Sequence, residues 1–245
     1  MSQPAARAMW VWVHADAPPD PGALGAFAAE QRVTEAFVSV PWGGPTPLTH
    51  DLVAALRGAG ARVAALGGDP SWVDGDAAVT WARRVSAAWL FEGVHLDIEP
   101  WGRADWAGSE PALLAGLERA VRDVAAATAL PVEVDLAPWL ADEHPQAFAG
   151  IAREADRVAL MVYRDRAADI LSFSAAARRQ LATSRTPFRI GVETLAGPPP
   201  HVTFADDGRA VLERELARVV AALRGDRWFA GVAVHDFAGW RALAP

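Results

Sequence analysis

The run FEGVHLDIEP, residues 91–100, sets Glu92, His95, Asp97 and Glu99 in a segment that otherwise reads as a buried strand. Burying carboxylates is costly unless something pairs with them or uses them. Under the two-residue alternation of a strand, Gly93, His95, Asp97 and Glu99 share one face, while Val94, Leu96 and Ile98 share the other. Two neighbouring carboxyls raise one another's pKa, so one can stay protonated near neutrality while the other is ionised. That is the acid arrangement needed to protonate a leaving oxygen. A structural ion pair with Arg164 or Arg189 would explain one carboxylate, but explains a His-x-Asp-x-Glu column poorly.

The elements that must position these residues alternate along the chain. Short Val-rich runs, most of them bounded by Gly, Pro or Asp, are expected strands at 9–14, 35–40, 62–67, 93–99, 131–137, 157–163, 189–194 and 231–237. The clearest helical patterns between them are 51–60, 77–89, 111–128, 170–182 and 210–225. Ser109 with Pro111 just inside marks a helix start, and Gly225 marks a stop. Strands separated by helices pair in parallel through right-handed crossovers. Eight such units in 245 residues fit an α/β fold, a single (β/α)8 TIM barrel spanning 1–245. A doubly wound open sheet would carry a Gly-rich phosphate turn after its first strand. The sequence there is HADAPPDPG. The longest irregular stretch, 195–207, is more like an active-site loop than a hinge.

In a barrel, chemistry sits where strands end and helices have not begun. Those ends carry His14 and Asp16, Trp42, Asp69 and Trp72, Asp97 and Glu99, Asp135 and Trp139, Tyr163 and Asp165, Glu193, and His235 and Asp236. For Asp16, Asp69, Asp165 and Asp236 a plain turn role has real weight. Trp42, Trp72, Trp101 and Trp139 follow strands two to five, where indoles can stack on sugar faces and donate a hydrogen bond. Trp81, Trp89 and Trp228 sit in or beside helices and are expected in the core. Alternation alone does not say whether Trp10 and Trp12 face inward.

The column Glu92-Gly93-Val94-His95-Leu96-Asp97-Ile98-Glu99 resembles the fourth-strand signature of the chitinase-like family 18 glycoside hydrolases. Gly93, Asp97 and Glu99 match it, Glu92 stands for an Asp, and His95 replaces an acid. Ala65-Leu66-Gly67-Gly68 is similar to that family's Ser-x-Gly-Gly. Met161-Val162-Tyr163 is similar to its Met-x-Tyr-Asp, with Arg164 intervening before Asp165, and His235 stands roughly where a Trp is usual. The resemblance implies retaining hydrolysis assisted by the substrate. Glu99 would protonate the glycosidic oxygen and the substrate's 2-acetamido oxygen would attack the anomeric carbon. Asp97 would orient that group, helped by the Tyr163 hydroxyl. His14, Trp42, His95, Trp101, Asp135, Trp139, Asp165, Glu193, His235 and Asp236 are the expected substrate-binding residues.

Other readings stay open. Glu99 and Glu193, at the ends of strands four and seven, could act as acid/base and nucleophile of a second large group of retaining barrel glycosidases. Glu193 could equally hydrogen-bond a sugar hydroxyl, which is the preferred role. A non-catalytic carbohydrate-binding barrel is a further alternative, although binding alone does not require Glu99. A metal-dependent hydrolase is disfavoured, because strands five and six supply no His; no metal or cofactor is expected. A net charge of -7 with no basic block argues against a nucleic-acid partner. The absence of Cys excludes disulfides and thiolate metal sites. The apolar run near the N-terminus is too short for a signal-peptide core or a membrane span. A soluble, cytoplasmic protein acting on a carbohydrate or glycoside, with no membrane partner, is the resulting expectation.

Overall fold

The structure, a computed structural model, describes residues 6–197 and 199–245. Its Val- and Ala-rich runs form β1 (Ala6–Val11), β2 (Glu35–Ser39), β3 (Arg62–Gly67), β4 (Gly93–Leu96), β5 (Val132–Leu136), β6 (Arg157–Met161), β7 (Phe188–Glu193) and β8 (Phe229–His235). Each overlaps its expected run. The first is displaced toward the N-terminus, so His14 falls in the turn beyond it. The strands pair in parallel in chain order, and β8 closes onto β1.

The helices are α1 (Pro21–Glu30), α2 (Pro47–Gly58), α3 (Ala77–Ala87), α4 (Glu110–Ala127) and α5 (Leu140–Glu143). They continue with α6 (Pro145–Glu154), α7 (Ala167–Phe173), α8 (Ala175–Ser184), α9 (Arg209–Leu223) and α10 (Phe237–Ala242). Side chains of Asp20 and Thr46 cap α1 and α2 by accepting backbone N–H groups. The single helix expected over 170–182 is two, α7 and α8. The Ser174 hydroxyl between them bonds to the Ile170 carbonyl at 2.7 Å, a local bond that competes with helix continuation.

The pleat sorts each strand into two environments. Val94, Leu96 and Ile98 pack in the large apolar shell between sheet and helices. A smaller inner cluster of Ala8, Trp10, Phe37, Leu66, Ala159 and Ala233 fills the barrel itself. Trp10 fits only because its neighbours are small: a Cβ on Gly191 would stand 3.0 Å from the indole. Trp81 is fully buried under β3, but Trp89, expected in the core, is 93% exposed. It sits just past the end of α3 with φ 53°, where the chain turns away from the helix.

Ions close the floor of the barrel. The Arg189 guanidinium has no exposed surface and lies 2.6 Å from Glu133 and 2.8 Å from Glu35. Arg157 adds contacts of 3.0 Å to Glu35 and 3.3 Å to Glu133. Burial pushes the Glu35 pKa up, but the charges and hydrogen bonds of Arg189 and Arg157 outweigh it, and the net shift is down. Glu35 therefore stabilises the fold above its ordinary value of 4.5, and loses that contribution as pH falls through its lower folded value. Arg189→Met removes the buried cation and leaves both carboxylates to the partly exposed Arg157, and is expected to cost about 3–5 kcal/mol. Arg157→Met removes a side chain that is 30% exposed and should cost less than about 1 kcal/mol. Urea unfolding of both variants at neutral pH checks this, and equal costs would contradict it.

Candidate active site

β4 ends at Leu96, so Asp97 and Glu99 stand just beyond the ladder at the C-terminal mouth. The Asp97 N–H still donates to the Gly67 carbonyl at 3.0 Å, which holds the turn against β3. Gly68 makes that approach possible: a Cβ there would fall 1.7 Å from the Asp97 carbonyl oxygen. Gly68 thus makes room for the backbone of strand four where it carries its acids to the mouth, while Gly67 makes room for the Trp81 indole, 2.5 Å from where its Cβ would stand.

The Asp97 side chain keeps some exposed surface, while its Oδ1 is closed off from solvent and has no hydrogen-bond partner. Burial, and then the charges of Asp135 and Glu99, raise its pKa well above the ordinary 3.8. Glu99 is partly exposed, and its Oε2 accepts the Trp101 indole N–H at 2.8 Å. Among the described residues neither carboxylate pairs with an arginine. Arg189 is at the floor, and Arg164 donates to the Tyr163 carbonyl at 2.6 Å with its guanidinium 4.0 Å from the Phe173 ring centroid.

Tyr163, Glu193, His235 and Trp12 complete the mouth. The Tyr163 ring lies 6.1 Å from that of His235. Burial, then the negative charges of Glu193, Asp135, Asp97 and Glu99, raise the Tyr163 pKa and keep its hydroxyl protonated. Glu193 is only 6% exposed. Its Oε1 accepts the backbone N–H groups of Thr194 and Leu195 at 2.7 and 2.8 Å, and its Oε2 lies 3.0 Å from His235 Nδ1. The Trp12 indole donates to His235 Nε2 at 2.9 Å. Burial lowers the His235 pKa, but the hydrogen bond and charge of Glu193 overcome it and the net shift is upward. Trp12 opposes that shift. An indole can only donate, so His235 Nε2 must offer a lone pair and the ring carries its proton on Nδ1, toward Glu193.

Several expected substrate contacts lie elsewhere. His95 is completely buried: its ring stacks on Phe37 at 3.8 Å and its Nε2 is 2.9 Å from Asp135 Oδ2. Asp135 is equally buried and takes a second hydrogen bond from Trp10 at 3.1 Å. Both therefore support the mouth from below, since neither side chain presents surface to a ligand. Asp236 caps α10 through Gly239 N–H at 2.9 Å, and His14 is exposed in the turn after β1. Asp165 is buried beside Arg166 at 3.5 Å. Glu92 pairs with Arg57 and accepts the Val63 N–H, so it ties β3 to β4.

The tryptophans form two groups. Trp42, 47% exposed, meets Trp72 edge-on at 6.0 Å and carries Arg84 on its ring at 4.7 Å. With Trp12, Ser39, Gly68, Asp69 and Ser71 this pair lines an open cleft beside the ends of β1 to β3. Across the mouth, Trp139 meets Trp101 at 6.0 Å and Trp106 at 6.1 Å, both nearly perpendicular. Sequence reasoning missed Trp106, which has no strand end to mark it. It also left Trp10 and Trp12 unassigned, although their shared parity with Ala8 already placed all three on one face.

Among the described residues no group of three or more His, Cys, Asp or Glu side chains is arranged to hold a metal ion. No helix is long and apolar enough to cross a membrane.

No protein-family model matches the chain, and no curated protein does. Solved structures do. A family 18 N-acetylglucosaminidase from Paenibacillus barengoltzii superposes with a TM-score of 0.63 at 12% identity, over 98% of this chain and 99% of that one. The GH113 β-mannanase AaManA from Alicyclobacillus acidocaldarius gives 0.61 at 13%, over 98% and 88%. The spore cortex-lytic enzyme SleL of Bacillus megaterium QM B1551 gives 0.60 at 11%, over 98% and 71%. The likeness is one of fold. An N-acetylglucosaminidase, a β-mannanase and a cortex-lytic enzyme thus share this barrel, at identities too low to carry residue roles across.

Trp12→Phe keeps the packing and removes the only donor to His235 Nε2 among the described residues. The imidazole can then take a second proton beside Glu193, so the His235 pKa is expected to rise above its value in the unmodified protein. Histidine-selective NMR titration reads the change, and an unmoved or lowered pKa would show that Trp12 does not hold the neutral ring.

Proposed function

We propose that the chain is a glycoside hydrolase, with Glu99 as general acid/base, acting where the sugar at the cleaved bond carries a 2-acetamido group. The observation that carries this reading is the placing of Asp97 and Glu99 together at the open end of the barrel, free of arginine, with a raised pKa on Asp97. The fold shared with a family 18 N-acetylglucosaminidase and a GH113 β-mannanase supports it at the level of architecture.

Glu99 protonates the glycosidic oxygen as the bond breaks. The acetamido oxygen attacks the anomeric carbon from the opposite face, and a ring intermediate takes the place of a protein ester. Asp97 lies one alternation behind Glu99 and accepts the amide N–H, so that charge developing on nitrogen meets a polar partner. The Tyr163 hydroxyl donates to the acetamido oxygen and aims it. Glu99, now a carboxylate, then activates water to open the intermediate with retention. The Trp42–Trp72 and Trp101–Trp139 groups provide sugar-stacking faces on either side.

Glu193 as a direct nucleophile is less favoured. Its Oε1 already accepts two backbone N–H groups and its Oε2 faces His235. Hydrolysis of substrates that lack a 2-acetamido group would restore that alternative.

Chromogenic N-acetylglucosaminides and N-acetylated oligosaccharides test the proposal. Glu99→Gln is expected to lower kcat by about 10²–10⁴-fold with little change in KM, as loss of a proton donor should. Sugar binding by the unmodified protein without turnover would instead identify a carbohydrate-binding barrel.

A further inference from the structure

We propose that Asp97 and Asp135 share a single proton across adjacent strands, and that His95 and Trp10 hold Asp135 in position to do so. This makes Asp135 and His95 positioning residues for the reaction proposed above, and it rests on that reading only for its catalytic consequence. The proton-sharing itself is a statement about the resting protein.

Strand register supplies the first argument. β4 and β5 pair as Val94 with Val132, His95 with Glu133 and Leu96 with Val134. One step further along the same parallel pairing lie Asp97 and Asp135, on strands about 4.8 Å apart. Both belong to the inward face, because His95, two residues before Asp97, bonds to Asp135 inside the barrel.

The second argument is an imbalance of donors. Asp97 Oδ1 and Asp135 Oδ1 are both closed off from solvent, and neither has a hydrogen-bond partner. Two ionised carboxylates side by side would bury two uncompensated oxygens and two like charges. One proton removes both faults: the protonated carboxyl donates and the other accepts, leaving a single negative charge on the pair. Asp135 Oδ2 is already occupied by Trp10 at 3.1 Å and His95 at 2.9 Å, so Oδ1 is the oxygen left to share.

Among the described residues no arginine reaches the pair, and the one cation that can form nearby is a protonated His235, whose charge lowers the pKa of both aspartates but is outweighed by burial and the surrounding carboxylates, so the net shift of each is upward. Glu99 stands above the pair, Glu133 and His95 below, and Tyr163, Glu193 and His235 across the mouth. Arg157 and Arg189 are engaged by Glu35 and Glu133 at the floor. Burial outweighs the carboxylates near His95 and lowers its pKa to about 4, so at neutral pH the ring is uncharged. A neutral His95 with its proton on Nε2 donates to Asp135 without adding charge.

Two measurements on the full chain test the assignment, and neither needs turnover. In the unmodified protein, nitrogen-15 NMR should show His95 as the Nε2–H tautomer. The Nδ1–H tautomer would mean that Asp135 Oδ2 itself holds the proton and donates to His95, and would overturn the proposal. Carbon-13 NMR of the aspartate carboxyls gives the second measurement. In Asp135→Asn the like charge is gone, so Asp97 should lose its proton at lower pH than in the unmodified protein. An unchanged Asp97 titration in a folded variant would overturn the proposal. Where substrates are hydrolysed, the alkaline limb of kcat/KM should move to lower pH in the same variant. A protein that titrates as stated but hydrolyses nothing would retain the shared proton and lose the proposed function.

Discussion

A closed barrel of eight strands admits little water, so each carboxylate pointing inward must be answered by a cation, a donor or a proton. This chain points Glu35, Glu133, Asp135, Asp97 and Glu193 inward and answers them differently at different heights. At the floor the answer is Arg189 with Arg157. At mid-height it is uncharged donors, the Trp10 indole and the His95 ring. Glu193 is met by backbone N–H groups and His235. Among the described residues Asp97 alone of these five takes no hydrogen bond or ion pair, and its Oδ1, like Asp135 Oδ1, is closed off without a partner. The interior is thus graded, from charges neutralised permanently to one that depends on a proton.

Packing keeps that gradient in place. The floor cations cannot climb, because Phe37, Trp10 and the His95 ring form an aromatic plug above them, with contacts of 5.2, 5.6 and 3.8 Å between ring centres. The plug needs small residues opposite it, and Ala8, Ala159, Gly191 and Ala233 provide them. A larger residue at Gly191 would press on Trp10 and through it on Asp135, so a substitution far from Glu99 reaches the mouth by contact alone. The same logic applies at Gly68, where the backbone of Asp97 occupies the space of a side chain.

The sequence made the eight strands, their order and the inward column of β4 legible, because each rests on local periodicity. Val94, Leu96 and Ile98 had to face helices once the strand was recognised. The placement of Asp97 and Glu99 at the mouth followed from the barrel and the column together. What stayed hidden depends on contacts across the barrel. Nothing local distinguishes His95, buried against Phe37, from a histidine at the mouth. Nothing near residue 189 says that Arg189 will meet Glu35, 154 positions away. Trp89 misled because a helix-end tryptophan in an apolar segment reads as core, while the positive φ that turns it outward is a property of the loop. A strand-end position does not say what else the carboxylates of Glu193 and Asp236 hold. Both fasten the loops after β7 and β8 by accepting backbone N–H groups.

The gradient also bears on why the proposed chemistry would belong at this end and at this pair. Oxocarbenium-like charge developing at a sugar needs a negative or polarisable group nearby, yet a fixed carboxylate in an apolar pocket would already have been neutralised by the fold. A carboxyl that exchanges its proton with a neighbour can respond without a cation having to move. Asp97 meets that condition because the carboxylates around it are restrained: Asp135 by two donors, Glu193 by backbone, Glu133 by arginine. Glu99 completes the arrangement from outside the gradient. It is partly exposed and held by the Trp101 indole at one oxygen, so in the proposed reaction it would trade a proton with substrate and water while Asp97 trades with the interior.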